Sequence, residues 1–232
     1  SPFLSSSFKI SFTLFFLSRV ARYSLWLSVT RCMETYDAAA ESYADPSGEY
    51  TGNSVVEVGD RFASILRERY GYQVLHCTES FDKESRDEAY GRALPVITKI
   101  LEENPSIQVV IDLHRDQMPV GQHLVTDIDG RPTARFMFFN GLSRTKKNGD
   151  ITYLKNENLS GNLAFSFQMQ LKCEEYYPGL TRKIYLKGYR YNMHLKPRSL
   201  LVELGAQNNT VREAMNACEP LAYVLNMVLS GQ

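Results

Sequence analysis

Three apolar runs in this sequence end in groups capable of acid–base or metal chemistry. Leu25–Thr30 (LWLSVT) leads into Arg31, Cys32, Met33 and Glu34; Ile107–Leu113 (IQVVIDL) into His114, Arg115 and Asp116; and Ser199–Val202 (SLLV) into Glu203, then Leu204 and Gly205. A carboxylate can take up and return a proton, and an imidazole can do the same or ligate a metal. Singly, a polar group after a strand is a helix N-cap or loop residue as readily as a functional one. Asp112 is odder, because a carboxylate within an apolar run needs a partner or a metal. It can orient His114 from behind if that histidine binds metal; the alternative is a satisfied core histidine.

For these ends to converge, the runs must be neighbouring parallel strands, with helices between them as crossovers. The polar stretch Asp37–Asn53 leads into Val55, Val58, Phe62, Ile65 and Leu66 at helical spacing. Ser54 and Glu57 form a capping box for this helix, Gly71 stands at its C-cap, and Tyr72–Cys77 then alternates like a strand. Arg86–Glu103 predicts a second helix, split or kinked at Pro95 and stopped by Pro105. His123–Asp129 and Thr133–Asn140, joined across Gly130, predict an antiparallel hairpin, followed by a polar turn with Lys146, Lys147 and Gly149. Asn156–Tyr176 predicts a third helix ended by Pro178-Gly179, and Thr210 with Glu213 caps a last one to about Leu229. The result is an α/β fold: a mostly parallel sheet flanked by helices, with the hairpin as an antiparallel edge or insertion. Ligands of such sheets lie beyond the carboxyl ends of the strands.

The 232 residues are 44% hydrophobic and 22% charged, which excludes disorder and fibrous repeats. At about 150 residues per domain, the length allows one full α/β domain with an appendage. We place that appendage at residues 1–22, rich in Ser, Phe and Leu, and the domain at 23–232. Ile10–Leu17 is too short for the ~20 apolar residues of a bilayer span, and reads as a buried strand or the tail of a signal or anchor segment. With 26 basic and 26 acidic side chains, no net field draws the chain onto nucleic acid, and Lys146, Lys147, Arg182 and Lys183 form no aromatic-interleaved stripe. Nucleic acid is therefore not an expected partner. The four cysteines, at 32, 77, 173 and 218, form no C-x-x-C pair and leave the redox compartment open.

Ile111-Asp112-Leu113-His114-Arg115-Asp116 resembles the core signature of the stage II sporulation protein P family, bacterial cell-wall hydrolases related to zinc-dependent N-acetylmuramoyl-L-alanine amidases. Glu34-Thr35-Tyr36, Val58-Gly59, Tyr90, Tyr177–Leu180, Tyr191–Leu195, Leu201–Gly205 and Asn209-Thr210 match in order, so the resemblance covers about Glu34 to Leu229. It implies an amidase-like fold in which zinc activates a water that cleaves the amide between N-acetylmuramic acid and L-alanine of peptidoglycan, with stem-peptide cross-links as a further target. Glu203 matches the family's catalytic glutamate and His114 a zinc ligand. Glu34 matches the acidic residue of the first motif, either a ligand or a water-orienting group. Arg115, Asp116, Asn192, His194 and Asn209 are candidate substrate contacts, although a loop histidine such as His194 is often incidental. The resemblance further implies the bacterial cell envelope, a membrane anchor outside this chain, and stage II sporulation proteins D and M as partners.

One position departs from the pattern. The family's first motif is similar to Thr-His-x-x-Glu, and Arg31 stands where the histidine belongs. Arginine offers no lone pair. At an effective dielectric of 20, a positive charge about 5 Å from Zn²⁺ is repelled by about 7 kcal/mol, a large part of the ~10–16 kcal/mol of tight zinc binding. Cys32 could supply a thiolate, but a neighbouring residue on an extended chain points the other way. Either the segment upstream of Cys32 is altered at the coding level, or the chain is a homologue that binds peptidoglycan without hydrolysing it.

Overall fold

A computed structural model describes residues 23–28, 30, 34–36 and 54–232. The expectations for the appendage at 1–22 with its apolar run, for Arg31 and Cys32, and for the polar stretch 37–53 lie outside the described residues.

In chain order the elements are β1 (Ser24–Ser28), α1 (Val55–Tyr70), β2 (Gln73–Cys77), α2 (Ala89–Glu103), β3 (Ile107–Asp116), β4 (Val125–Ile128), β5 (Arg131–Ala134), β6 (Phe136–Gly141), β7 (Arg144–Thr145), β8 (Gly149–Asp150), α3 (Leu159–Tyr176), β9 (Tyr185–Lys187), β10 (Ser199–Ala206) and α4 (Val211–Ser230). Six strands form one sheet in the order β2-β1-β3-β10-β6-β9. The first four run parallel; β6 is antiparallel to β10, and β9 runs parallel to β6. The expected α/β class, a mostly parallel sheet flanked by helices, is what the chain adopts.

Period-two alternation divides the sheet into two faces. Leu25, Leu27, Val109, Ile111, Leu113, Leu200, Val202 and Leu204 join the main core with Phe62 and Leu66 of α1, Phe165 and Met169 of α3, and Leu221 and Leu225 of α4. Trp26, Ile107 and Val110 face the other way, against Ala89, Ala93 and Ile97 of α2. Both predicted capping boxes form, Ser54 with Glu57 and Thr210 with Glu213, and Gly71 ends α1 in the left-handed region at φ 70°.

Several boundaries differ from the sequence reading. The α2 helix begins at Ala89 rather than Arg86, because the Arg92 guanidinium ties down the preceding loop through the carbonyls of Phe81 (2.7 Å) and Ser85. It continues through Pro95 as one helix. The stretch Thr133–Asn140 is not one strand. It divides at Arg135, whose amide bonds Leu124 and whose carbonyl accepts from Gly205, so Arg131–Ala134 pairs with β4 in a separate hairpin while Phe136–Gly141 enters the main sheet. Among the described residues no helix is long and apolar enough to cross a membrane.

Candidate active site

Glu203 and His114 are direct register partners on the parallel strands β10 and β3. Paired residues share a sheet face, so both lie on the α2 side, together with Asp112, and away from the main core. Just beyond this pair β10 bulges at Gly205. There φ is 65°, and a Cβ would stand 2.9 Å from Asn209 Oδ1, so glycine is needed both for the backbone angle and for the close approach.

His114 is 1% exposed and held from three sides. Its Nε2 lies 2.9 Å from Asp112 Oδ2 and its Nδ1 3.2 Å from Glu34 Oε2. The Tyr90 hydroxyl donates to Asp112 Oδ2 (3.1 Å) and stands 3.2 Å from Nε2. Asp112 is anchored in turn by the amide and hydroxyl of Thr30, at 3.0 and 2.8 Å. This is the partner that a carboxylate within an apolar strand requires.

Glu34 is fixed through its backbone and its neighbours. Its carbonyl accepts from Val55 at the start of α1, Thr35 bridges Ser54, and the buried Tyr36 hydroxyl donates to the Leu204 carbonyl at 2.9 Å. Its Oε2 also accepts from the Arg115 amide at 3.1 Å, and Arg86 lies 3.5 Å from Oε1. Burial works against ionisation of Glu34, but His114 and Arg115 outweigh it and hold its pKa well below the usual carboxylate range. Burial likewise opposes a charged His114, yet Asp112 and Glu34 hold the imidazole well above its ordinary pKa of 6.5.

The geometry fits zinc in part. Two donors each about 2.1 Å from a tetrahedral zinc stand about 3.4 Å apart, close to the 3.2 Å between His114 Nδ1 and Glu34 Oε2. Asp112 on the second ring nitrogen is the carboxylate–histidine arrangement that orients metal-bound imidazoles. Among the described residues, however, no group of three or more His, Cys, Asp or Glu side chains could hold a metal, and position 31 lies outside them.

A cavity of about 480 Å³ is lined by Glu203, Asp116, Arg86, Tyr90 and Arg182, among others. Asp116 lies on this face and accepts from Arg182 at 2.7 Å. Arg115 does not join it. As the neighbour of His114 on an extended strand it points to the opposite face, where its Nε donates to the Thr35 carbonyl at 2.8 Å. Asn209 is fully buried, with Oδ1 accepting from the Ala206 amide and Nδ2 donating to Leu124 and Glu213, so it clamps the turn after β10. The side chain of Asn192 donates to the Tyr90 carbonyl at 2.8 Å, behind the hydroxyl that reaches Asp112. His194 lines no part of the cavity; burial, aided by Arg190, lowers its pKa to about 4. The sequence reading did not single out Tyr90, Arg86 or Arg182 as site residues. Tyr90 was legible only as part of the family pattern, and nothing local marked the two arginines.

Comparison with known proteins gives the family and the fold. The stage II sporulation protein P family matches residues 29–226. Stage II sporulation protein P of Bacillus subtilis (strain 168) is 26% identical over 208 residues, covering 85% of this chain and 49% of that protein. The chain thus spans about half the length of the curated relative it matches. Among solved structures, the N-acetylmuramyl-L-alanine amidase Ami1 of Mycobacterium smegmatis aligns over 93% of this chain and all of its own, with a TM-score of 0.53 and 12% identity. The CwlD amidase of Clostridioides difficile, solved in complex with the GerS lipoprotein, aligns over 90% and 97% with a TM-score of 0.52 and 10% identity. The amidase AmiC2 of Nostoc punctiforme gives 88%, 96%, 0.50 and 13%. At such identities the likeness is one of fold.

Proposed function

The chain belongs to the stage II sporulation protein P family, and from that premise we propose that it is a cell-wall hydrolase, cleaving the amide between N-acetylmuramic acid and the L-alanine of peptidoglycan stems. The observation that carries this reading is the pairing of Glu203 with His114 on one face of neighbouring strands, with Glu203 lining the cavity. Glu203 is the general base that takes the proton from the attacking water and returns it to the leaving nitrogen. Zinc, when bound, supplies a polarised carbonyl and a water acidic enough to ionise near neutral pH. His114 and Glu34 would hold it. Asp112 fixes the orientation of the His114 ring, Thr30 fixes Asp112, and Tyr90 keeps the Asp112 carboxylate turned toward the imidazole. Family membership carries with it the proposals that stem-peptide cross-links are also cut, and that the protein works anchored at the cell envelope beside stage II sporulation proteins D and M.

Arg31 favours a second reading, a peptidoglycan binder that has lost hydrolysis, since a guanidinium cannot take a ligand's place. Zinc content and release of stem peptides from purified peptidoglycan, measured on this chain and on Arg31→His, separate the two. About one zinc per chain with release by the unaltered protein supports the hydrolase. Zinc and release only after Arg31→His support the binder. Release by neither protein, with zinc bound to Arg31→His, overturns the assignment of Glu203.

A further inference from the structure

Three cations line the cavity, and they are not equivalent. Arg86 lies 3.5 Å from Glu34 and Arg182 bonds Asp116 at 2.7 Å, so both are engaged by carboxylates of the site itself. Lys187, on the edge strand β9, also lines the cavity, but among the described residues no ion pair is formed by it. Its ammonium lies 5.2 Å from the centroid of the Tyr185 ring. That ring packs on Phe139 (5.7 Å), Phe139 on Tyr191 (4.7 Å), and Tyr191 on Tyr90 (5.1 Å), so a row of interlocked aromatic rings runs from Lys187 to the His114 cluster. A cation seated on such a row is pre-positioned, and an anion can use it with little loss of side-chain freedom.

Register gives the span. Glu203 pairs with Met137 on β6, and Lys187 pairs with Gly141 on the same strand. Lys187 is therefore four residues along and two strands across from Glu203, about 16 Å between Cα positions by ordinary strand spacings. Both side chains reach inward by several ångströms, and an extended peptide advances about 3.3–3.6 Å per residue. The distance left suits a group on the second or third residue of the departing peptide. Resting on the hydrolase reading of this site, we propose that Lys187 is the substrate-selecting cation of the cavity, holding a carboxylate on the second or third residue of the peptide that leaves a muramoyl amide. Amidation of that carboxylate removes the charge without changing the shape, so the protein discriminates between amidated and free cell-wall stems.

The test is calorimetric binding of three synthetic N-acetylmuramoyl tripeptides: one with all carboxylates free, one amidated at the second residue and one amidated at the third. Each is titrated into the unaltered chain, Lys187→Gln, Lys187→Arg, and Lys183→Gln as a surface control. We expect one of the two amides to bind the unaltered chain about tenfold more weakly than the free acid, the effect of one charge-assisted contact at a partly exposed place. Which amide it is identifies the residue. Lys187→Gln should erase that ratio, while Lys187→Arg and Lys183→Gln preserve it. Equal binding of all three ligands, or a ratio that survives Lys187→Gln, overturns the proposal. Peptide release from the same ligands separates the two levels: cleavage without charge preference sinks only the role of Lys187, whereas neither binding nor cleavage sinks the hydrolase reading and this inference together.

Discussion

The two faces of strand β3 are built on one backbone and do different work. Toward α1, α3 and α4 the strand presents Val109, Ile111 and Leu113, apolar until Arg115 at its carboxyl end. The other face begins with Val110 under Ala93 and Ile97 of α2, then turns to Asp112, His114 and Asp116 as it leaves that cover. The first face therefore sets whether the sheet forms, and the second sets what its carboxyl end can hold. Charge is affordable there because each charged group has a partner: Thr30 and Tyr90 on Asp112, Glu34 and Asp112 on His114, Arg182 on Asp116.

The largest expected effect comes from breaking the apolar face. Leu113 is wholly buried between Asp112 and His114 in sequence, and its truncation leaves a cavity in the main core. Leu113→Ala should destabilise the fold by about 2–5 kcal/mol, read as a lower denaturation midpoint with unchanged slope in urea. A loss under about 1 kcal/mol would show that the two faces share the stabilising role more evenly than their composition suggests.

Much of this division was legible in the sequence, and the gaps have physical causes. The strand-end rule found His114 and Glu203 because apolar runs mark central strands and the groups after them stand out. Arg115 was grouped with His114 by adjacency, although strand periodicity sends neighbours to opposite faces. The edge strand β9 is three exposed residues, Tyr185, Leu186 and Lys187, too short to show alternation, so the flank of the cavity was unreadable. The break at Arg135 was hidden for a different reason. No glycine or proline marks it, and only backbone bonds to Leu124 and Gly205, distant in sequence, divide β5 from β6.

A middle-sized effect sharpens the comparison at the hinge where β10 passes into α4. Glu213 Oε2 accepts from the Thr210 amide (3.0 Å), Asn209 Nδ2 (2.9 Å) and His123 Nε2 (2.7 Å). Burial disfavours its charge, but the bonds from Asn209, His123 and Thr210 outweigh it and lower its pKa below the ordinary 4.5. A lowered folded pKa means the stabilisation is complete above the unfolded value and is lost as pH falls from about 4.5 toward the folded one. Glu213→Gln should cost about 1–2 kcal/mol at pH 7. The gap between the two proteins should narrow steadily below pH 4.5 in urea titrations, and a gap independent of pH would mean that shape rather than charge holds this turn.

The smallest effect on stability, and the greatest on chemistry, belongs to Glu203. It occupies a strand otherwise filled by Leu200, Leu201, Val202 and Leu204, yet it faces the cavity and not the main core. A carboxylate kept in that position contributes little to packing, and proteins commonly accept such a cost where a function requires the group. Glu203→Gln preserves volume and removes the charge and the basic lone pair. Its unfolding free energy should stay within about 0.5 kcal/mol of the parent, or rise. Amide cleavage, in whichever of the unaltered chain or Arg31→His shows it, should fall about 10²–10⁴-fold, the usual contribution of a general base. A stability loss matching that of Leu113→Ala would place Glu203 among the structural residues and erase the distinction between the two faces where it matters most, at the mouth of the cavity.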